Sequence, residues 1–371
     1  MTLFMNNDVV HKVLTMADTM AALEQSYLQM VSREAVCRPR VDIQIPTGTP
    51  GRMYQWGSME GGSMSGYFAI RTKSDIVVQE NRNGIPTEEK YCMKPGLYCG
   101  LIWLMDTETG APLAIINDGV LQHMRVGGDG GIGVKYMARQ DVTTVGILGS
   151  GGMARSHMDA FLEARPTIER LRVYSPTKAN REAFGREMEA KFDLDVAVCD
   201  TPKDVYRGAE IVAALTDATV PVLNGEWLEE GTHVVNIGGS GHPDARTIER
   251  IDVSLRFGDA PTPWGLPDFA RGLSRLTYAA LDPKDAKRGL TPDGKPGGRG
   301  AVAPDRVVMF ADMIAGKRPG RSDDRQITYS ERGNLQGAQF WAVAAKAYEA
   351  AKAQGLGHEI PTDWLLQDIR N

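Results

Sequence analysis

The segment VGILGSGGMARSHMDAF constrains the fold of this chain more than any other. A β-rich run reaches Gly149-Ser150-Gly151-Gly152-Met153-Ala154, and a helix-compatible stretch follows at once. This fits G-x-G-x-x-G/A in the strand–turn–helix context the pattern needs. Gly149 permits the tight turn, Gly151 lets the backbone approach a pyrophosphate, and Ala154 lets the helix pack closely on the strand. The exposed N–H groups of the first helical turn then face negative charge. The turn predicts a dinucleotide site built from Gly149, Ser150, Gly151, Gly152, Met153 and Ala154.

The surrounding rhythm agrees. From Thr143 the runs TTVGILG, LRVY, VAVC, EIVAALT, HVVNIG and VSLRFG are compact apolar strands separated mostly by helix-compatible stretches, which predicts a largely parallel sheet covered by helices. The second of these strands, Leu171 to Tyr174, runs into Ser175-Pro176-Thr177-Lys178, so the acid that would hold both hydroxyls of an NAD ribose is missing. Ser175, Thr177, Lys178 and Arg181 offer hydrogen bonds or positive charge to a 2′-phosphate, and the reading favours NADP over NAD. The competing reading is a solvated helix start in which Ser175 or Thr177 caps backbone groups.

Before Thr143 the pattern differs. Residues 16 to 31 space Met16, Met20, Leu23, Tyr27 and Met30 as an amphipathic helix. From Cys37 to Ile102, short apolar stretches broken by glycines and Asn83 read as a sheet with turns, and glycines at 57–66 are expected around a substrate entrance. A strand over Pro112 to Ile116 leads into a helix from near Gly119 toward Ala138. Residues 266–304, rich in Gly, Pro, Asp and Lys, read as an exposed loop or lid, and 337–354 as a strong helix stopped before Gly355-Leu-Gly357.

Composition narrows the partners. With 42 Lys+Arg against 47 Asp+Glu the formal charge is −5, which gives no electrostatic footprint for nucleic acid. Apolar runs such as Ala111 to Ile116 fall far short of the roughly 18 residues of a spanning helix, so no membrane partner is expected. Four sparse cysteines without C-x-x-C spacing, and a polar start after Met1, favour the cytoplasm. The six histidines form no H-E-x-x-H or compact cluster, so no metal is expected, and Ser150 lies in a phosphate turn rather than a nucleophile elbow. Glycine is in excess, 41 in 371 residues, about 11% against an ordinary value of roughly 7%.

Over nearly its full length the chain resembles the ornithine cyclodeaminase/mu-crystallin family, which includes amino-acid dehydrogenases and ketimine reductases. The resemblance rests on RTKSD around Lys73, TGAPLAIINDG followed by HMR at Arg125, GVKYMAR, GILGSGGMA, PVLNGEWLEEGTHVVNIGG, ITYSERGN and AAKAYEAAKAQGLGHEIP. It implies an α/β fold in which a Rossmann-like nucleotide-binding domain is inserted into a second α/β substrate-binding and dimerisation domain. The corresponding boundaries are 1–138 for the substrate and dimerisation domain, 139–307 for the nucleotide domain with its 266–304 insertion, and 308–371 for the segment returning to the first domain. A homodimer is likewise implied.

Carried over residue by residue, Arg40, Lys73 and Arg125 look like the family's cationic substrate-binding positions, and Asp259 like its acidic group beside nicotinamide and substrate. Arg125 would bind an α-carboxylate bidentately, Arg40 would reinforce it, and Lys73 would orient it or donate a proton near the reacting nitrogen. Asp259 would exchange a proton with that nitrogen, or only cap the turn at Ala260-Pro261.

GLPDFARG follows Asp259 where many relatives have Gly-Glu-Leu, and SERGNLQGAQF departs from the common Ser-Gly pattern, which argues against direct transfer of ornithine specificity. The leading expectation is NAD(P)-dependent hydride transfer to or from a small imino or amino acid or a cyclic ketimine carboxylate. The alternatives are ornithine cyclodeamination to proline and ammonia with bound NAD, and a noncatalytic NADPH- or small-ligand-binding protein.

Overall fold

The computed structural model describes residues 1–237, 243–261, 275–280, 301–331 and 333–369. The chain opens with strand β1 (Thr2–Met5) and helices α1 (Asn7–Val13) and α2 (Met16–Ser32). Helix α2 buries Met16, Met20, Leu23 and Tyr27 on one face, and the Thr15 hydroxyl accepts the Asp18 N–H at 3.1 Å to cap its start. Seven strands follow: β2 (Ala35–Cys37), β3 (Arg40–Pro46), β4 (Arg52–Ser63), β5 (Tyr67–Arg82), β6 (Ile85–Tyr91), β7 (Cys99–Asp106) and β8 (Pro112–Asn117).

Helix α3 (Gly119–Met137) crosses to the second body, where β9 (Thr144–Leu148), α4 (Gly152–Ala164), β10 (Arg170–Tyr174), α5 (Lys178–Phe192), β11 (Asp195–Val198), β12 (Ile211–Ala214), β13 (His233–Asn236), α6 (Ala245–Arg250) and β14 (Val253–Arg256) alternate. The chain ends with β15 (Arg275–Ala279), β16 (Val307–Met309), α7 (Phe310–Ile314), β17 (Thr328–Glu331), α8 (Gln336–Ala353) and β18 (His358–Ile360).

The second sheet has the order β11-β10-β9-β12-β13-β17-β14-β16, and its recorded pairings are parallel. Its first five strands, counted from β9, follow the order 3-2-1-4-5 of a dinucleotide-binding α/β sheet. The expected Rossmann-like α/β fold is therefore present. The first sheet runs β15-β3-β4-β5-β7-β8-β1-β18, with β2 on β4 and β6 on β5, and is mainly antiparallel.

Two expectations change. Strand β17 lies between β13 and β14, so the chain is still in the second sheet at residue 331 and returns to the first body with α8, not from 308. Residues 275–279, expected within an exposed loop, form strand β15, which pairs parallel with β3. Most of the remaining 266–304 segment, including GLPDFARG, lies outside the described residues.

Helix α3 joins the bodies, and its glycines explain part of the excess. A Cβ on Gly127 would stand 2.4 Å from the Ser156 carbonyl oxygen, and one on Gly131 2.8 Å from the Ala160 Cβ, both on α4. Glycines at this helical spacing let α3 and α4 approach almost backbone to backbone. The packing ties the segment carrying Arg125 to the helix that follows the glycine turn. Among the described residues no helix is long and apolar enough to cross a membrane.

Candidate active site

The glycine turn divides its tasks between two residues. Gly149 has φ +124°, and a Cβ there would lie 2.2 Å from the Leu215 carbonyl oxygen at the end of β12, so glycine is required by the fold. Gly151 has φ −85° and nothing within 4 Å of a Cβ position, which leaves its side open to a ligand. It is the N-cap of α4 without a side-chain cap, so the first N–H groups of a 13-residue helix are available to an anion. Ala154 is fully buried beneath. Ser150 Oγ meets Ser175 Oγ at 2.9 Å, and the Arg155 guanidinium holds the Ser150 carbonyl at 3.1 Å. These features fit a dinucleotide pyrophosphate, with Met153 in the same first turn.

At the ribose end, Ser175 occupies the position after β10 and Thr177 is the N-cap of α5 with no side-chain cap hydrogen bond. The capping reading for Thr177 is thus not realised. Lys178 is exposed and 3.8 Å from Glu182. Arg181 differs from its expected pose: it is buried over the Tyr174 ring and donates to the Ser175 carbonyl at 2.9 Å, with Asp200 at 3.4 Å. It therefore holds the Ser175 backbone. Asn83, at the tip of the β5–β6 hairpin, reaches Thr177 Oγ1 at 3.4 Å, a contact between the bodies that local sequence pattern did not reveal.

The cations collect on one face of the first sheet. The two-residue period of β5 puts Arg71, Lys73 and Asp75 on its buried face, while Arg40, Asp42 and Gln44 share a face of β3, on the far side of β4. In register, Asp42 lies opposite Gly57, which lies opposite Lys73, and Lys73 in turn opposes Gly100 on β7. The two glycines make room for charge. A Cβ on Gly57 would sit 2.6 Å from Asp42 Oδ1 and 2.9 Å from Lys73 Cε; one on Gly100 would sit 2.1 Å from Asp118 Oδ1. The glycines of 57–66 do not all border an opening: Gly61 packs on Gly337 of α8, and Gly62 on Phe68.

Three of the cations have carboxylate partners. Arg40 pairs with Asp42 at 2.7 Å, Arg71 with Asp118 at 2.6 Å, and Lys73 with Asp75. Arg125 donates to the side-chain oxygens of Gln339 at 2.6 Å and Gln122 at 2.8 Å. Its guanidinium lies 4.6 Å from the Phe340 ring centroid, with that of Arg71 at 5.3 Å from the same ring. Burial, with Arg40 and Lys90 nearby, pushes the Lys73 pKa well below the ordinary lysine value, and Asp75 only partly restores it.

The structure places Arg71 and Arg125 against the same ring, that of Phe340. Arg71 stands in the RTKSD motif two residues before Lys73, and the strand period was the signal that could have found it. Asp118, Gln122 and Gln339 are further members that sequence reasoning missed.

Asp259 follows β14 at the carboxyl edge of the parallel sheet and pairs with Arg256 at 2.6 Å, not with Lys73 or Arg125. Its expected role as a turn cap is taken by Asn334, whose Oδ1 accepts the Ala260 N–H at 2.6 Å. The path from this edge to Arg125 runs through Phe257, whose ring is 5.2 Å from that of Tyr27, and through Gln339, which donates to the Tyr27 hydroxyl at 2.8 Å. Among the described residues no group of His, Cys, Asp and Glu could hold a metal ion.

Fold and site define a two-sheet α/β protein whose Rossmann-type turn is joined through α3 to a buried cation cluster. The family model for the ornithine cyclodeaminase/mu-crystallin family matches residues 92–254. Over that stretch, somewhat less than half of its length, the chain is similar to the family. It is 28% identical to a Delta(1)-pyrroline-2-carboxylate reductase of Bacillus cereus over 263 residues, 70% of this chain and 74% of that protein. It is 24% identical to an alanine dehydrogenase of Archaeoglobus fulgidus over 360 residues, 97% of this chain and 98% of that one. Among solved structures, the Delta(1)-pyrroline-2-carboxylate reductase of Thermococcus litoralis in complex with NADH and L-proline superposes with a TM-score of 0.74 at 22% identity, covering 97% of this chain and 100% of that one.

Proposed function

We propose that this protein is an NAD(P)-dependent oxidoreductase that reduces the C=N bond of a small 2-imino acid or cyclic ketimine carboxylate, or runs the reverse oxidation of the amino acid. The observation that carries the reading is the buried gathering of cations. Arg40, Arg71, Lys73 and Arg125 lie on or against one face of the first sheet, with Arg71 and Arg125 both against the Phe340 ring. Such a set suits an anionic substrate group, a carboxylate. Each of the acids Asp42, Asp75 and Asp118 already has a cation partner, which disfavours a second, cationic substrate end such as that of ornithine. The relatives' reductase and dehydrogenase names agree with this choice.

When bound, the nicotinamide supplies or accepts the hydride. The open N-terminus of α4 holds the pyrophosphate, and Ala154 lets that helix sit close. Arg125, held planar between Gln122, Gln339 and Phe340, binds the carboxylate with Arg71 and Arg40 as electrostatic support, and so fixes the imine carbon in orientation. As hydride reaches the carbon, the nitrogen takes a proton, so one hydride and one proton are added to C=N. Lys73, whose ammonium is made acidic by burial, and Asp259, at the strand edge, are the two groups suited to deliver it.

NADP is the favoured form, supported by Ser175 where an acid would serve NAD, by the uncapped α5 N-terminus at Thr177, and by exposed Lys178. We also propose the two-domain organisation above, with the nucleotide domain extended to 331, and a cytoplasmic homodimer. Support for the dimer is the sheet face opposite the cation cluster, where Ile43, Ile45, Tyr54 and Trp56 are exposed or only partly buried. Free thiols at all four cysteines accord with the cytoplasm.

The test is anaerobic incubation with NADPH or NADH and a panel of cyclic ketimine acids and 2-oxo acids plus amines, followed by product mass. Asp259→Asn and Lys73→Met are run beside the wild type. Turnover lost in one variant with cofactor binding intact identifies the proton donor; full turnover in both would refute the two assignments.

A further inference from the structure

His123 is two residues before Arg125 on α3, and its ring packs on the glycine turn: a Cβ built on Gly152 would lie 2.7 Å from His123 Nε2 and 3.1 Å from its Cε1. Gly152 is the first residue of α4, whose N–H groups form the anion cradle. The residue is exposed beside this turn. The Gly119 backbone one turn earlier favours the protonated ring. In a neutral ring one nitrogen carries a lone pair in place of a proton, and at Nε2 that is the wrong polarity for phosphate.

We propose that His123 is a diphosphate-contacting residue that takes up a proton at Nε2 when the dinucleotide binds, closing the phosphate site from the substrate side. This rests on the dinucleotide reading above and adds to it a residue and a proton. The charged groups facing the ring are Asp118 on its own side of the crevice and Arg155 from α4. The protein crowding the ring, with a smaller contribution from Arg155, holds its pKa below the ordinary histidine value against the pull of Asp118, so the free protein carries it neutral at pH 7. A bound diphosphate reverses this balance, and by linkage affinity falls as pH rises, by up to about tenfold per pH unit across the window between free and bound pKa values.

The experiment is calorimetric titration of the full chain with NADPH and with NADH at pH 6 to 8, in buffers of different ionisation enthalpy. Wild type should take up a fraction of a proton approaching one, with affinity that weakens as pH rises. His123→Gln should bind more weakly at pH 6, take up none, and show a flat profile. Uptake that persists unchanged in His123→Gln, or a wild type that binds without uptake, overturns the proposal while leaving the dinucleotide site standing. Failure of both nucleotides to bind wild type would sink the dinucleotide reading and this proposal with it.

Discussion

Alanine at position 151 should leave the fold intact and weaken dinucleotide binding, whereas alanine at 149 should damage the fold itself. Gly151 has φ −85° and ψ −168°, open to any residue, and its Cβ position meets no atom within 4 Å. The substitution should change stability by no more than about 0.5 kcal/mol. The added methyl stands where a pyrophosphate must approach the backbone. Losing one charge-assisted hydrogen bond there costs about 1.5–3 kcal/mol, or about ten- to hundredfold in Kd.

Gly149 is the internal control. Its φ of +124° strains alanine by about 1–3 kcal/mol, and the 2.2 Å approach of the Leu215 carbonyl forces β9 and β12 apart at their ends. Urea unfolding gives the stabilities, and nicotinamide fluorescence titration the affinities. A Gly151→Ala protein that folds and binds NAD(P)H as wild type does would refute the assignment of this turn as the phosphate cradle.

Three further outcomes follow from the same geometry. Arg125→Met should raise KM for a carboxylate substrate about ten- to hundredfold, the worth of a charge-assisted pair, with cofactor Kd unchanged in direct titration. Because the buried Lys73 ammonium loses its proton more readily than an ordinary lysine, turnover in the imine-reducing direction should fall as pH rises through that lowered pKa. Lys73→Arg, which does not titrate there and cannot give up the proton, should lose most of the turnover and show no such fall in what remains. Fully buried His233, held by Thr328 Oγ1 at 2.9 Å, has its pKa depressed to about 3. The unfolded chain therefore binds the extra proton below about 6.5, and stability present above that pH should be lost as pH falls, by about 1.4 kcal/mol per unit. His233→Asn should flatten this slope in denaturant titrations between pH 7 and 5.

Local pattern carried the second sheet well, because each strand there is a short apolar run with a turn signal, and parallel strands buried on both faces look alike in any such fold. It also located the turn at 149–154 and the start of α3. What it missed depends on register. Arg71 and Arg125 meeting at the Phe340 ring, Asp118 under Gly100, and Gln339 reaching Arg125 across 214 residues are contacts that no spacing along one element encodes. The same holds for β15: a strand added to the edge beside β3 from a Gly- and Pro-rich stretch owes its existence to a partner, not to its own propensity. The glycine excess is now divided between the nucleotide turn, the α3–α4 contact, and the paired gaps at 57 and 100 that admit Lys73 and Asp118.

The central claim, imine reduction at a carboxylate-binding site, is tested most directly by a single stoichiometry. Wild type is given NADPH and a cyclic ketimine carboxylate without oxygen, and nicotinamide oxidised is compared with amino acid formed by mass. The account predicts one for one, with the reaction reversing when the oxidised cofactor and the cyclic amino acid are supplied. Conversion of ornithine to proline and ammonia with no net change in the cofactor, and no ketimine reduction, would contradict it.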